Sequence, residues 1–241
     1  MLERPSPNHG PRSGAVTMLV LHYTGMKSAE EALRRLADPA AKVSAHYLVD
    51  EDGTVSRLVP EERRAWHAGA SSWRGIGDVN GASIGIELAN PGHEWGYRAF
   101  PEPQIAALET LARGILARHP IPARNIVGHA DVAPLRKQDP GELFPWRRLA
   151  HAGIGLWPET VPEEAPGDIA GLQRLLADIG YKVPLWGAHD LETTAVITAF
   201  QRHFRPERCD GRADPETARR IAAVAALARA DVPLRPAGRR G

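Results

Sequence analysis

Apolar runs and mixed amphipathic segments alternate along the first two thirds of the chain, and they predict strands and helices in turn. The run MLVLHYT is apolar until its polar end, which is typical of a strand covered on both faces. ASIGIELAN has the same character, with Gly85 allowing a close approach and Glu87 as its single charge. NIVGH, which ends at His129, predicts a further strand.

Helix signals lie between these runs. Ser28 is a suitable N-cap, and Glu31, three residues later, completes a capping box. Apolar residues recur at helical spacing from Gln104 to His119, so one stripe of that helix should face a sheet. In SAHYLVDEDGTVSRLV, Asp52 and Gly53 predict a hairpin turn. Together these elements indicate an α/β domain with a mixed central sheet flanked by helices.

The composition changes after this domain. Residues 158–168 are rich in proline and glutamate and predict a semi-rigid linker. Leucine and phenylalanine stripes follow, and Asp214 with Pro215 predicts the start of a last helix. We therefore expect an α/β domain over 1–157, the linker over 158–168, a small three-helix domain over 169–232 and a flexible basic tail over 233–241.

Charge and cysteine content narrow the class of protein. The 30 basic and 29 acidic side chains nearly cancel, which argues against a nucleic-acid partner. Cys209 is the only cysteine, so the fold cannot depend on an intrachain disulfide. No apolar run is long enough for a transmembrane segment, and the N-terminus does not resemble a secretory signal. We expect a monomer that is cytoplasmic as written, with an envelope location left open.

Three groups suited to binding a metal ion stand at or near predicted strand ends. His22 and His129 each follow an apolar run, and Asp139 lies in the proline-rich loop VGHADVAPLRKQDPGELFPW. Two imidazoles and one carboxylate form a ligand set of catalytic zinc. Asp131 is a competing ligand, and a lone histidine at a strand end is more often structural. Glu87 adds a carboxylate that is costly to bury without a compensating partner.

The chain resembles the zinc-dependent N-acetylmuramoyl-L-alanine amidases of the type 2 class. The resemblance rests on LHYT, SAHYLVDEDGTV, RAWHAGASSW, SIGIELAN and VGHADVAPLRKQDPG, which occur in the family's order between about Met18 and Trp146. It implies the mixed sheet flanked by helices that amidases share with peptidoglycan-recognition proteins.

The same resemblance implies specific roles. His22, His129 and Asp139 match the ligands of one zinc ion per chain, Glu87 matches the general base, and Lys137 matches a lysine near the developing oxyanion. The implied reaction is hydrolysis of the amide bond between the lactyl group of N-acetylmuramic acid, including its 1,6-anhydro form, and L-alanine. The implied substrate is peptidoglycan or a muropeptide.

Several aromatic and histidine residues are weaker candidates. The resemblance places Trp66, His67 and Trp73 along the substrate groove, and it gives Tyr47 a supporting role. The alternative is that Trp66 belongs to the core and that His67 bonds to the backbone. His46 is expected to be structural.

The C-terminal region resembles the three-helix peptidoglycan-binding domain of wall hydrolases, in LQRLLADIGY, TTAVITAFQRHF and CDGRADPETARRI. Such a domain would raise the local concentration of the enzyme on a polymeric substrate. Two other functions compete with the amidase: a non-catalytic peptidoglycan-recognition protein, and a protein whose metal is only structural. The intact ligand trio beside Glu87 and Lys137 favours the enzyme.

Overall fold

A computed structural model describes residues 1–231, so the predicted tail lies outside the described residues. Within residues 1–231 the strands β1 to β8 span Leu2–Glu3, His9–Pro11, Met18–Tyr23, Tyr47–Val49, Val55–Arg57, Arg63–Ala65, Ser83–Leu88 and Ile126–Gly128. The helices α1 to α9 span Ala29–Ala37, Val79–Ala82, Gly92–Trp95, Glu102–Arg118, His129–Val132, Trp146–His151, Ile169–Ile179, Leu191–Phe204 and Pro215–Ala230.

Six strands form one mixed sheet in the order β1-β5-β4-β7-β3-β8. The pairs β4–β7, β7–β3 and β3–β8 are parallel, and β4–β5 is the antiparallel hairpin that the sequence predicts. Gly53 in its turn has a φ of 85°, a left-handed value that favours glycine. The predicted α/β class is confirmed.

The two faces of the sheet are buried by different elements. Leu19, Leu21 and Ile84 share a core with Ile105 and Leu108 of α4, as the helical stripe predicts. On the other face, Met18 and Val20 belong to a second core. Their continuous burial explains why the strand has no polar alternation.

The predicted N-caps Ser28 and Asp214 are confirmed, whereas the Glu31 side chain makes no return hydrogen bond to the Ser28 amide, so the predicted capping box is only half formed. The Ser28 side chain accepts a hydrogen bond from the Glu31 amide at the start of α1, and Asp214 caps α9 in the same way through Thr217. Each cap satisfies one of the backbone N–H groups that the first helical turn leaves without a partner.

The three C-terminal helices pack against the sheet domain. The core that contains Met18 and Val127 also contains Leu172, Phe200 and Val224, one from each of α7, α8 and α9. Residues 158–168, the predicted linker, contain neither helix nor strand. The helical region therefore shares a hydrophobic core with the domain that precedes it.

The N-terminal residues differ from the sequence expectation, which assigned them no strand. Residues Leu2–Glu3 pair with β5, and His9–Pro11 pair with β6 in a separate two-stranded sheet. Both strands are too short to show a periodic pattern. None of the helices within residues 1–231 combines the length and the apolar character needed to cross a membrane.

Candidate active site

The carboxyl ends of β3, β7 and β8 bring the candidate residues together. His22 and Glu87 are paired in register on neighbouring parallel strands, so their side chains leave the same face of the sheet. His129 directly follows β8, and the loop after α5 returns to this edge with Asp139. Together they line a cavity of about 450 Å³, with Lys137 also in its wall.

Three side-chain atoms converge at the base of this cavity. The Nδ1 atoms of His22 and His129 are 3.0 Å apart, and each lies 3.1 Å from Oδ2 of Asp139. All three residues are buried. A point about 2 Å from all three atoms lies just off the plane of this triangle, and that is the distance at which zinc binds imidazole nitrogen and carboxylate oxygen. The predicted trio therefore meets at one point.

The protonation of His129 is fixed by a backbone carbonyl. Its Nε2 lies 3.1 Å from the carbonyl oxygen of Ala68, which can only accept, so Nε2 must carry the proton. The neutral ring then presents an unprotonated Nδ1 to the convergence point. Ala68 is held in place because its amide, like that of His67, donates to Oδ1 of Asn80.

A chain of hydrogen bonds through His67 fixes His22 in the same way. Ser83 Oγ lies 2.5 Å from the Val79 carbonyl oxygen and donates its proton there, so it accepts from His67 Nε2 at 3.2 Å. Neutral His67 then accepts at Nδ1 from His22 Nε2, 3.0 Å away. The lone pair of His22 Nδ1 is thus free for a metal ion. Partners that orient metal-binding histidines in this manner also raise their basicity.

The electrostatics of His22, His67 and Asp139 agree with these assignments. Burial lowers the pKa of His22 to about 4, and it lowers the pKa of His67 well below the usual range. Burial alone would raise the pKa of Asp139, but the proximity of the His129 and His22 rings lowers it well below its usual range. Neutral imidazole and ionised carboxylate are the forms that bind metal. The donor set therefore fits a divalent cation.

Glu87 has an unusual environment. Its Oε2 is buried without a hydrogen-bond partner in the described part of the chain. Burial, and then the negative charge of Asp139, raise the pKa of Glu87 well above 4.5, whereas Lys137 opposes that shift. A carboxyl group that is perturbed and unpaired beside a candidate metal site is suited to proton transfer.

The loop that carries Asp139 is held by tight packing. The Tyr97 hydroxyl donates to the Pro140 carbonyl at 2.7 Å and accepts from the Leu143 amide at 3.0 Å. Gly141 has a φ of 86°, and a Cβ there would lie 2.3 Å from the Tyr97 oxygen, so only glycine fits. The peptide bond between Asp139 and Pro140 is cis.

Two of the weaker candidates do not line the cavity. The Tyr47 hydroxyl donates to Glu61 Oε1 at 2.7 Å, and Tyr47 shares the α4 core. Trp73 is 2% exposed and packs edge-on against Tyr181 of the helical region. Neither residue lines the cavity, because each side chain is buried in contacts elsewhere, so the structure does not support the supporting or groove role expected from the sequence.

The other two candidates, Trp66 and His67, do line the cavity. The two polar atoms of the His67 ring face His22 and Ser83, so this ring is engaged with side chains and not with the backbone. His46 is structural as expected: its Nδ1 accepts from the Gly85 amide at 2.9 Å.

Several residues of the cavity wall are not among those predicted from the sequence. Arg35, Glu94, Arg136 and Gln138 all line it. Arg136 donates to the carbonyl oxygens of Ala68 and Ala70, which fastens the segment that orients His129. Its position next to Lys137 was a signal for Arg136, whereas nothing local distinguishes Arg35 from other basic residues of an exposed helix face.

Comparisons with known proteins agree with this geometry. The family model described as N-acetylmuramoyl-L-alanine amidase matches residues 12–142, a range that includes all three ligand candidates and Glu87. The amidase AmiD of Escherichia coli strain K12 is 43% identical over 223 residues, which is 84% of this chain and 79% of AmiD. The chain belongs to the N-acetylmuramoyl-L-alanine amidase family. The resemblance inferred from the sequence motifs is confirmed.

Other amidases show the same relationship. AmpD of E. coli, a 1,6-anhydro-N-acetylmuramyl-L-alanine amidase, is 36% identical over 60% of this chain and 87% of AmpD. The structure of E. coli AmiD in complex with anhydro-N-acetylmuramic acid-L-Ala-D-γ-Glu-L-Lys covers 90% of each chain at 41% identity, with a TM-score of 0.79. The AmpDh3 structure from Pseudomonas aeruginosa covers 92% of this amidase and 94% of AmpDh3, also with a TM-score of 0.79.

A second family model, for a peptidoglycan-binding domain, matches residues 166–221 of this amidase. That range includes α7 and α8 and the start of α9. The likeness of the helical region to wall-binding domains, inferred from its sequence, is thereby confirmed. The domain limits assigned from the sequence stay a prediction.

Proposed function

We propose that this amidase hydrolyses the bond between the lactyl carbonyl of N-acetylmuramic acid and L-alanine, with one zinc ion held by His22, His129 and Asp139. Family membership supports the reaction class. The observation that carries the residue assignments is the convergence of two unprotonated Nδ1 atoms and one carboxylate oxygen, 3.0 and 3.1 Å apart, beside an unpaired Glu87.

A catalytic zinc site uses three protein ligands and leaves a position open, and the trio has that number. Zinc held there would lower the pKa of a bound water molecule and would polarise the carbonyl group of the substrate. A structural zinc would require a fourth protein ligand. Within residues 1–231, these three residues are the group with mutually close ligand atoms, and no fourth member joins them.

Glu87 takes a proton from the attacking water and delivers it to the alanine nitrogen as the amide bond breaks. Its raised pKa suits both transfers, because a carboxylate of higher pKa is a stronger base toward the water proton and holds that proton until the alanine nitrogen takes it. The Lys137 ammonium lies close enough to lower the pKa of both Glu87 and His22. It stabilises the negative charge that develops on the carbonyl oxygen.

The substrate lies in the 450 Å³ cavity, with Trp66 as an aromatic wall. Anhydro-muramyl peptides are among the substrates, and the AmiD complex with such a compound supports this choice. The helical region binds the glycan–peptide polymer, supported by its match to peptidoglycan-binding domains. The monomeric state and the cytoplasmic location remain predictions from the sequence.

Glu87→Gln tests the assignment. It keeps the size of the side chain and removes the proton acceptor, so we expect zinc binding to persist and turnover of anhydro-muramyl tripeptide to fall by about a hundredfold or more. Release of the free peptide is measured by mass spectrometry. Removal of zinc by a chelator should abolish release from the wild type, and zinc should restore it.

Arg113→Gln changes an exposed residue of α4, which packs on the sheet face opposite His22 and Glu87; it is the control and should retain wild-type activity. Full turnover by Glu87→Gln would remove Glu87 from the reaction. Cleavage that persists without metal would remove the zinc. A chain that binds muropeptide but never releases peptide would be a recognition protein.

A further inference from the structure

The helical region reaches the metal site through Asp131, a buried residue two positions after His129. Asp131 Oδ1 accepts a 2.6 Å hydrogen bond from the hydroxyl of Tyr181, which follows α7. Asp131 Oδ2 accepts a 2.8 Å hydrogen bond from Nδ1 of His203, in the last turn of α8. Asp131 and both partners are at most 4% exposed.

Asp131 in turn shapes the turn that presents His129. Its Oδ2 also accepts from the Gly128 amide at 2.7 Å, which closes the one-turn helix α5 at the residue before His129. A buried carboxylate that accepts three hydrogen bonds leaves the turn little freedom. A Cβ on Gly128 would lie 2.7 Å from Pro140, so the two ligand-bearing segments are in close contact here.

The contacts of α8 extend to the second ligand-bearing loop. The Arg202 guanidinium lies 3.5 Å from Gln138 Oε1 and 3.9 Å from Glu142 Oε2, on either side of Asp139. The neighbouring His203 ring is stacked on Trp146 at a centroid distance of 3.7 Å, which fixes the direction of its Nδ1. Hydrogen bonds in such a buried place favour one geometry, because water cannot replace a lost partner.

We propose that Tyr181 and His203 are positioning residues of the metal centre, and that the helical region has a second role besides wall binding: it holds Asp131, and through Asp131 the His129 turn, in the metal-binding geometry. This inference rests on the proposed ligand role of His129. It gives α7 and α8 a function within the same molecule that does not require any polymer.

Three variants of the full-length chain test this role. Tyr181→Phe removes one hydroxyl, His203→Leu removes the imidazole donor, and His203→Asn keeps an N–H near the position of Nδ1. We expect Tyr181→Phe and His203→Leu each to weaken zinc affinity about three- to tenfold, somewhat below the 10–100-fold typical of direct partners of a metal ligand. His203→Asn should bind zinc more tightly than His203→Leu. Affinity is measured by competition with a chromogenic chelator.

Amide hydrogen exchange of the metal-free chain provides a readout that needs neither metal nor activity. Because the Gly128 amide donates to Asp131, its exchange should accelerate in Tyr181→Phe and His203→Leu. Ile221→Val, in the core of α9, is the matched control: it destabilises the helical region without touching Asp131. It should lower the unfolding temperature and leave both zinc affinity and Gly128 exchange unchanged.

Two results would overturn the inference. One is wild-type zinc affinity and wild-type Gly128 exchange in both Tyr181→Phe and His203→Leu. The other is a loss of affinity in Ile221→Val equal to theirs, since the effect would then follow general stability. If chelator and zinc have no effect on activity at all while Gly128 exchange still accelerates, the proposed function fails and the structural link stands.

Discussion

Gly85→Ala tests the hydrogen-bond chain that orients His22. A Cβ at this position would lie 2.5 Å from Cγ of His67 and 2.6 Å from its Nδ1. Ordinary contacts begin at 3.4 Å, so the ring must retreat by about 0.9 Å. The strand cannot yield instead, because Gly85 pairs with Val20 on one side and its carbonyl accepts from the His46 amide on the other.

This displacement should affect two separate quantities. Overpacking of this size costs about 1–3 kcal/mol of unfolding free energy. A retreat of about 0.9 Å also lengthens the 3.0 Å contact between His67 Nδ1 and His22 Nε2 beyond a hydrogen bond. Since loss of such a partner weakens metal binding about 10–100-fold, we expect zinc affinity to fall by that factor.

The assay combines thermal unfolding with chelator competition. Gly77→Ala is the control, because nothing lies within 4 Å of a Cβ there. Adding His67→Ala to Gly85→Ala removes the clash, so the double variant should regain stability without regaining zinc affinity. Wild-type affinity in Gly85→Ala would refute the reasoning, since it would show that His22 holds its direction without His67.

Three further predictions concern the cavity and its surroundings. Lys137→Met should lower kcat about a hundredfold while zinc affinity stays near wild type, because it removes a charge at the oxyanion and no ligand; an unchanged kcat would exclude that role. Tyr47→Phe should cost about 1 kcal/mol of stability by breaking the bond to Glu61, and it should keep wild-type kcat, measured with the same peptide-release assay. In the metal-free chain the raised pKa of Glu87 makes a contribution to stability that is fully present below about pH 4.5. This contribution is lost as the pH rises through the pKa of Glu87 in the folded state. Metal-free Glu87→Gln should therefore unfold at a higher temperature than the wild type at pH 8, and the difference should shrink toward pH 4; a constant difference would contradict the burial argument.

Much of the sheet and the convergence of the three ligand candidates could be predicted from the sequence because their signals are local. An apolar run that ends in a polar residue marks a strand end, and parallel strands place their ends at one edge. The candidate metal site follows from His22 and His129 in that position, together with a family motif for Asp139. Gly85 was expected to allow a close approach, and the His67 ring is what approaches it.

The orientation of Tyr47 could not be read from the sequence, because it depends on register. Tyr47 pairs with Ile86, whereas Leu48 pairs with Glu87, so Tyr47 faces away from the carboxylate. Trp73 and Asp131 present the same difficulty over a longer distance. Their partner Tyr181 lies more than 45 residues farther along the chain, and helical periodicity says nothing about which domain surface a helix covers.

The common core of the sheet domain and the three helices determines how a polymer would meet the catalytic cleft. A flexible tether would let a wall-bound enzyme search a volume around its anchor, and the reach would depend on tether length. Leu172, Phe200 and Val224 are instead buried with Met18 and Val127, so the helices are packed directly on the sheet domain. A glycan strand seated on the helices would lie at one angle and one separation from the cleft. The distance along the glycan strand between the bound sugar and the cleaved stem peptide should then be constant.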